Sequence, residues 1–152
     1  MQLVRVDRPG PALDEVRSLL DQYWKSFGFT PCFQGFDAEL AGLPGLYGPP
    51  RGALLLAPGQ GCVALRALDA KTAEMKRLYV SPGARGGGVG RALASAAVFW
   101  AREQGFSRLV LDTIAGRMEA AVALYRSMGF VETAPYLPTP TEGALCLELR
   151  LR

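Results

Sequence analysis

The 152-residue sequence predicts a single α/β domain, in which a mixed, mostly antiparallel, twisted sheet of about seven strands is flanked by four helices. Three observations support this prediction. Short segments rich in valine and leucine alternate with segments whose apolar residues recur at helical spacing. Glycine and proline residues separate most of these segments. The length and the ordinary composition, 49% hydrophobic and 20% charged, fit one globular domain over residues 1–152.

The first half of the chain predicts two helices and a three-stranded meander. The long helix begins at Pro11, a residue suited to a first helical turn, and Gly28 ends it. Residues 29–51 are rich in proline, which indicates a loop region with one short helix. In order, we predict a strand at 2–6, helices at 11–27 and 36–43, and strands at 52–57, 62–68 and 72–80.

The second half predicts helices at 89–104 and 117–128 and strands at 107–113, 130–136 and 144–151. Gly105 and Gly129 would end the two helices. Because a helix joins the strand at 72–80 to the strand at 107–113, these two strands should run parallel. Strand alternation would place Glu74 on the same side of the sheet as Lys76, Leu78 and Val80.

Composition and charge exclude several classes of protein. The net charge of +3 arises from 17 basic and 14 acidic residues that are scattered, which argues against nucleic-acid binding. No apolar run approaches the ~18 residues of a membrane span, and the start lacks the layout of a secretory signal. The three isolated cysteines lack metal-site spacing, so we expect reduced thiols, no metal and a cytoplasmic protein. The absence of histidine excludes histidine triads, histidine-ligated zinc and a histidine base.

A glycine-rich stretch follows the predicted strand at 72–80 and leads directly into a helix. It contains Gly86, Gly87, Gly88 and Gly90, and the helical pattern begins at Val89. The first amides of a helix have no carbonyl partner and carry partial positive charge, so this layout is typical of an anion site. A glycine turn with no bound anion is the alternative interpretation.

Two common phosphate-binding motifs do not fit this stretch. A P-loop requires a lysine followed by serine or threonine after the glycines, and neither is present. The dinucleotide fingerprint would place its last glycine on Arg91 or Leu93, and it belongs on the first strand of a βαβ unit.

The pattern Arg85-x-x-Gly88-x-Gly90 resembles the pyrophosphate-binding motif of the GNAT superfamily of N-acetyltransferases. Residues 73–130 also hold Glu-Met-Lys-Arg-Leu-Tyr-Val before this motif and Leu-Tyr-Arg-Ser-Met-Gly-Phe after it, in the order found in the family. The order of predicted elements along the whole chain is that of the GNAT fold. The resemblance implies a transferase that uses acetyl-CoA as co-substrate, needs no metal and acetylates a primary amine.

The resemblance also implies positions for the cofactor. The Leu78 amide would contact the thioester carbonyl, and Val80 would pair with the pantetheine arm along an open strand edge that includes Tyr79. That edge exists only if the strands at 72–80 and 107–113 splay apart. The pyrophosphate would be held by the Arg85 side chain and by the amides of Gly86, Gly87, Gly88, Val89, Gly90 and Arg91.

Two catalytic residues follow from the resemblance. Glu74 lies eleven residues before Arg85, where members of the histone-acetylating type carry a catalytic glutamate. It would act as base directly, through a water, or as an anchor for the substrate ammonium; a salt bridge with Lys76 or Arg77 is the structural alternative. Tyr125 matches the tyrosine that protonates the leaving thiolate, and ordinary helix packing is its alternative. Met118 replaces an asparagine that contacts pantetheine in many members.

The acceptor is the least determined part of the prediction. Glu39, Tyr47 and Tyr136 are candidate substrate-binding residues, since acidic groups favour a cationic amine. A small metabolite or amino acid derivative is preferred over a peptide or protein, with direct transfer in a ternary complex. The rival function is an acyl-CoA-binding regulatory module without turnover. The protein is expected as a monomer or a homodimer.

Overall fold

The structure, a computed structural model, describes residues 2–26, 36–114, 119–137 and 144–151. It shows a seven-stranded sheet in the order β1-β2-β3-β4-β5-β7-β6, with every neighbouring pair antiparallel except β4 and β5. This confirms the predicted fold class. The strands are β1 (Val4–Arg5), β2 (Gly52–Ala57), β3 (Gly61–Ala67), β4 (Thr72–Val80), β5 (Arg108–Ile114), β6 (Val131–Glu132) and β7 (Ala144–Arg150), and the helices are α1 (Pro11–Ser26), α2 (Phe36–Gly42), α3 (Val89–Glu103) and α4 (Glu119–Ser127).

The largest departures from the predicted boundaries are at the two edges of the sheet. The strands predicted at 2–6 and 130–136 shrink to two paired residues each. These two strands, β1 and β6, lie at the edges of the sheet, so each pairs with only one neighbouring strand. Short edge strands are common in proteins. The predicted helix end at Gly28 lies outside the described residues, as do Met118 and residues 138–143 of the loop predicted at 137–143.

Two apolar layers hold the helices against the sheet. On one face α3 and α4 pack on a cluster that includes Leu65, Met75 and Leu93. On the other face α1 packs through fully buried residues such as Leu13 and Leu20. Each fully buried leucine contributes about 1.5–3 kcal/mol relative to an exposed one. None of the described helices is long and apolar enough to cross a membrane.

A β-bulge interrupts β4 near its middle. Cys62 of β3 lies opposite Tyr79, whereas Ala64 lies opposite Lys76, so β4 contains one residue more than β3 across this stretch. Arg77 has a φ of 60°, a left-handed conformation that costs a non-glycine residue about 1–2 kcal/mol. The extra residue reverses the alternation of side chains for the rest of the strand.

The reversal corrects one prediction. Leu78 and Val80 pack against the cluster beneath α3 and α4, together with Ala73 and Met75. The predicted common side for Glu74, Leu78 and Val80 was therefore wrong. Glu74 and Lys76 face the α1 side, because simple alternation holds only up to the bulge.

The parallel pairing of β4 with β5 covers only three positions. It begins at Thr72 opposite Arg108 and ends at Glu74 opposite Val110. Beyond this point β4 continues along β3 to Val80, and β5 continues along β7. The predicted splay is confirmed, and it leaves one edge of β4 open.

Candidate active site

A cavity of about 690 Å³ lies along the open end of β4. The last residues of β4 form its floor, the glycine-rich loop and the start of α3 close one end, and α1 and α4 form the sides. Its lining residues are Tyr23, Ser26, Leu78, Tyr79, Val80, Ala84, Arg85, Gly86, Gly88, Val89, Gly90, Glu119, Ala120, Ala121 and Leu124.

The glycine-rich loop has the backbone conformation that only glycine adopts without strain. Gly86 and Gly88 have φ values of 86° and 84°, and Gly88 is the N-cap of α3. A Cβ at either position would have no protein heavy atom within 4 Å, so within the protein these glycines are needed for backbone conformation and not to avoid a neighbouring residue. The first amides of α3 consequently begin at the cavity wall, where they can donate to an anion.

Most of the predicted cofactor residues line this cavity, and two do not. Gly87 is absent from its wall, and so is Arg91, whose guanidinium donates to the Ser127 hydroxyl at 2.6 Å. Arg91 thereby ties α3 to α4. Tyr23 and Ser26 of α1 and Glu119 of α4 line the cavity without having been predicted, because only tertiary packing brings these helices to the strand edge.

Arg85 is held at the cavity by the strand it follows. Its Nε donates to the Val80 carbonyl at 3.0 Å, and its guanidinium lies 5.8 Å from the centre of the Tyr79 ring. The guanidinium has other N–H groups with which to bind an anion. Val80, the residue that the resemblance pairs with the pantetheine arm, accepts this hydrogen bond from Arg85 through its carbonyl in this structure.

Glu74 is fully buried on the α1 face and both of its oxygens are occupied. Oε1 accepts a hydrogen bond from Arg66 Nε at 2.6 Å and lies 3.9 Å from Lys76 Nζ. Oε2 accepts from the Tyr136 hydroxyl at 2.5 Å. Burial, and next the Glu74 charge, raise the pKa of Tyr136 well above its usual value, so this phenol stays protonated.

The principal cation at Glu74 is not one that the sequence analysis predicts. Lys76 and Arg77 are the partners expected there, and Lys76 is nearby, but the closest cation is Arg66. Arg66 lies directly opposite Glu74 in the β3–β4 register. Opposite charges that face each other on paired strands attract. The register of the predicted hairpin could therefore have identified Arg66 as the partner of Glu74.

A second ion pair, which is partly buried, lies at the bulge. Arg77 donates from Nε and from one terminal nitrogen to the two carboxylate oxygens of Glu39, each at 2.9 Å. Its guanidinium also lies 5.5 Å from the centre of the Trp24 ring. Tyr47 is buried in the adjacent core, and this burial raises the pKa of its phenol. Glu39 therefore links α2 to the bulge of β4.

Tyr125 packs within the core rather than on the cavity wall. It is 4% exposed, and its ring centre lies 5.7 Å from that of Phe130. Its helix neighbours Ala121 and Leu124 line the cavity. Burial raises the pKa of the Tyr125 phenol, with a smaller contribution from Tyr23, so the hydroxyl is neutral over the physiological range.

Comparison with known proteins agrees with this architecture. The model of the "Acetyltransferase (GNAT) family" matches residues 15–130. An uncharacterized N-acetyltransferase of Schizosaccharomyces pombe is 37% identical over 145 residues, which cover 91% of this chain and 88% of that protein. An IAA acetyltransferase of Azospirillum brasilense is 42% identical over 81 residues, about half of each chain.

Solved structures share the fold at low sequence identity. A GNAT-family acetyltransferase of Staphylococcus aureus superposes with a TM-score of 0.81 at 19% identity, covering 99% of this chain and 100% of that one. An acetyl-CoA-bound GNAT acetyltransferase of Elizabethkingia anophelis has a TM-score of 0.68 at 20% identity, covering 99% and 97%. The resemblance inferred from the motifs is confirmed: the chain belongs to the GNAT family of N-acetyltransferases.

Proposed function

We propose that this protein transfers the acetyl group of acetyl-CoA directly to a primary amine within a ternary complex, and that the acceptor is a small metabolite or amino acid derivative. The observation that carries this proposal is the cavity at the open edge of β4, closed at one end by the glycine loop and the start of α3. The co-substrate supplies an activated thioester. All other steps are assigned to residues of this chain.

The loop residues are suited to hold a diphosphate. Backbone amides at Gly86, Gly88, Val89 and Gly90 border the cavity, as does the Arg85 side chain. Hydrogen bonds to a charged group contribute about 1.5–3 kcal/mol each, so a few of them suffice for anchoring. The Leu78 amide follows the bulge directly, and we assign it to the thioester carbonyl.

Deprotonation of the amine is assigned to Glu74 acting through Tyr136. An alkylammonium of pKa about 10.4 is neutral in roughly one molecule in a few thousand at pH 7, so a base is needed. Glu74 is fully buried and already accepts hydrogen bonds from Arg66 and Tyr136. The Tyr136 oxygen retains acceptor capacity, so it can take a proton from the amine while its own proton passes to Glu74.

Tyr125 is assigned as the acid. Because burial raises its pKa, the phenol is protonated at neutral pH and can donate to a leaving thiolate. Tyr125 is separated from the cavity by its helix neighbours, so this role requires a small shift of α4 or of the Tyr125 side chain.

The α1 face favours a small acceptor over an extended peptide. The Glu39–Arg77 pair holds α2 against β4, and Tyr47 packs beneath it. Glu39 is therefore expected to position the bulge, and Tyr47 to close this face. Tyr136, through its contact with Glu74, remains the candidate that meets the amine.

The proposal is tested by measuring free thiol with acetyl-CoA and a panel of amines, amino acids and peptides. We expect release with one or more small primary amines and little with peptides. Calorimetry with coenzyme A runs in parallel. Coenzyme A binding without thiol release on any amine would contradict the proposal and support a regulatory acyl-CoA-binding module.

A further inference from the structure

Asp112 is a half-buried carboxylate on β5 just beyond the splay. It lies two residues past Val110, the last β5 residue paired with β4. Leu109 and Leu111 of the same strand pack in the cluster beneath α3 and α4. Because side chains alternate along a strand, Asp112 faces the opposite side, where α1 packs. Lys76, two residues past Glu74 on β4, faces the same side. The two residues therefore flank the opening between the strands.

The other carboxylates of this face are paired with arginine. Glu74 pairs with Arg66 and Glu39 with Arg77, and Arg108 donates to Glu148. Asp112 makes no ion pair and no hydrogen bond with another side chain of the described residues, although a hydrogen bond from its own backbone partly lowers its pKa. A partly desolvated carboxylate without a paired cation is costly, so it indicates a group that a bound cation could compensate.

The electrostatics of Asp112 agree with this interpretation. Burial has the largest effect and raises the pKa of Asp112, and the Glu74 charge raises it further. The positive charges of Lys76 and Arg77 lower it, but the net shift is upward. The Asp112 charge also contributes to the raised pKa values of Tyr136 and Cys146. The pKa of Asp112 therefore stays above its usual value despite the two nearby cations. An added positive charge would be stabilised at this position.

Asp112 faces the side of the sheet on which α1 packs, and α1 contributes residues to the cavity wall. The pKa of Tyr23 is raised by burial, lowered by Arg77 and raised again by the Asp112 charge. Tyr23 itself lines the cavity. We propose that the Asp112 carboxylate binds the ammonium group of the acceptor amine at the splay between β4 and β5.

This inference deepens the proposed function, and it separates two tasks. Asp112 would bind the protonated amine, whereas Glu74 with Tyr136 would remove the proton before transfer. The ligand class is a primary alkyl- or arylalkylammonium whose charge is compensated by one carboxylate. A neutral molecule of the same shape would gain nothing from Asp112.

The test uses phenethylammonium chloride as probe and the full chain saturated with coenzyme A. Calorimetry compares wild type with Asp112→Asn and with Asp21→Asn, which removes the same charge from a partly exposed position on α1, where Asp21 pairs with Lys25. We expect at least a tenfold loss of phenethylammonium affinity in Asp112→Asn and less than a twofold change in Asp21→Asn. Binding of 2-phenylethanol, the neutral analogue, should be the same in all three proteins.

Thermal unfolding without the probe gives a second, independent readout. Removing an uncompensated charge should leave the melting temperature of Asp112→Asn equal to or above that of wild type, whereas a structural carboxylate would lower it. Equal phenethylammonium affinity in wild type and Asp112→Asn would overturn the inference, as would no saturable binding to wild type. Because binding is measured without turnover, the result is independent of whether any amine releases thiol.

Discussion

Replacing Gly88 by alanine tests the glycine loop most directly. The φ of 84° at Gly88 costs an L-residue about 1–2 kcal/mol, and the added methyl group meets no atom within 4 Å. For a domain of this size 1 kcal/mol corresponds to about 2–4 °C in melting temperature. We therefore expect Gly88→Ala to melt roughly 2–8 °C below wild type.

The same change should weaken coenzyme A binding. If the loop relaxes to a negative φ, the first amides of α3 turn from the cavity, and at least one hydrogen bond to the diphosphate is lost. One such bond is worth about 1.5–3 kcal/mol, or roughly 10- to 150-fold in affinity. Calorimetry with coenzyme A measures the loss, and thermal unfolding of the free protein measures the strain.

Gly87→Ala is the matched control. Gly87 has no positive φ, a Cβ there would lie 3.7 Å from the Ala84 carbonyl oxygen, and the residue is absent from the cavity wall. We expect a melting temperature within about 2 °C of wild type and an affinity within about twofold. Equal effects of the two substitutions on both measurements would refute the assignment of the loop.

Four further predictions concern the strand and the helices beside the cavity. Gly90→Ala should keep coenzyme A affinity within about twofold by calorimetry, because its Cβ makes only ordinary contacts at 3.6 and 3.7 Å and alanine favours a helix. Glu74→Gln should reduce turnover most at low pH, where least amine is neutral, and leave coenzyme A affinity nearly intact; an unchanged pH–rate profile would remove Glu74 from the mechanism. Tyr125→Phe should lower turnover about 10²-fold, and in wild type no alkaline loss of rate from Tyr125 should occur below about pH 10, since burial raises its pKa. Burial also raises the pKa of Cys62 from 9.0 to about 12, so the stability it contributes is complete below pH 9 and declines as pH rises toward 12; urea unfolding from pH 8 to 11 should show a smaller alkaline decline in Cys62→Ala.

The parts of the fold that depend on local pattern were predictable from the sequence. The helix spacing of α1 and α3, the hairpin of β2 with β3 and the glycines at 86 and 88 each encode their own conformation. The splay was expected from the family resemblance, and the Pro-Gly interruption after Val80 was compatible with it. These features need no knowledge of distant residues.

The features that were missed depend on contacts between distant elements. Arg66 meets Glu74 only because the β3–β4 register places them opposite each other. The bulge at Arg77 has no glycine or proline to mark it, and its left-handed conformation is held by Glu39 from α2, 38 residues earlier. Neither the Arg66–Glu74 pair nor the bulge can be predicted from the residue pattern of β4 alone, because both depend on other elements.

The bulge explains how a single strand serves both halves of the proposed reaction. Before it, Glu74 and Lys76 face the α1 side, where Tyr136 and Asp112 also lie. After it, Leu78 and Val80 turn to the opposite face and form the cavity floor. A regular strand would have sent Glu74, Leu78 and Val80 to one side, with the carboxylate and the cofactor floor on the same face. In the proposed reaction the bulge would place a proton acceptor and a thioester on opposite sides of one open strand edge. The strained φ of Arg77 is the local cost of the bulge, and the ion pair with Glu39 offsets it.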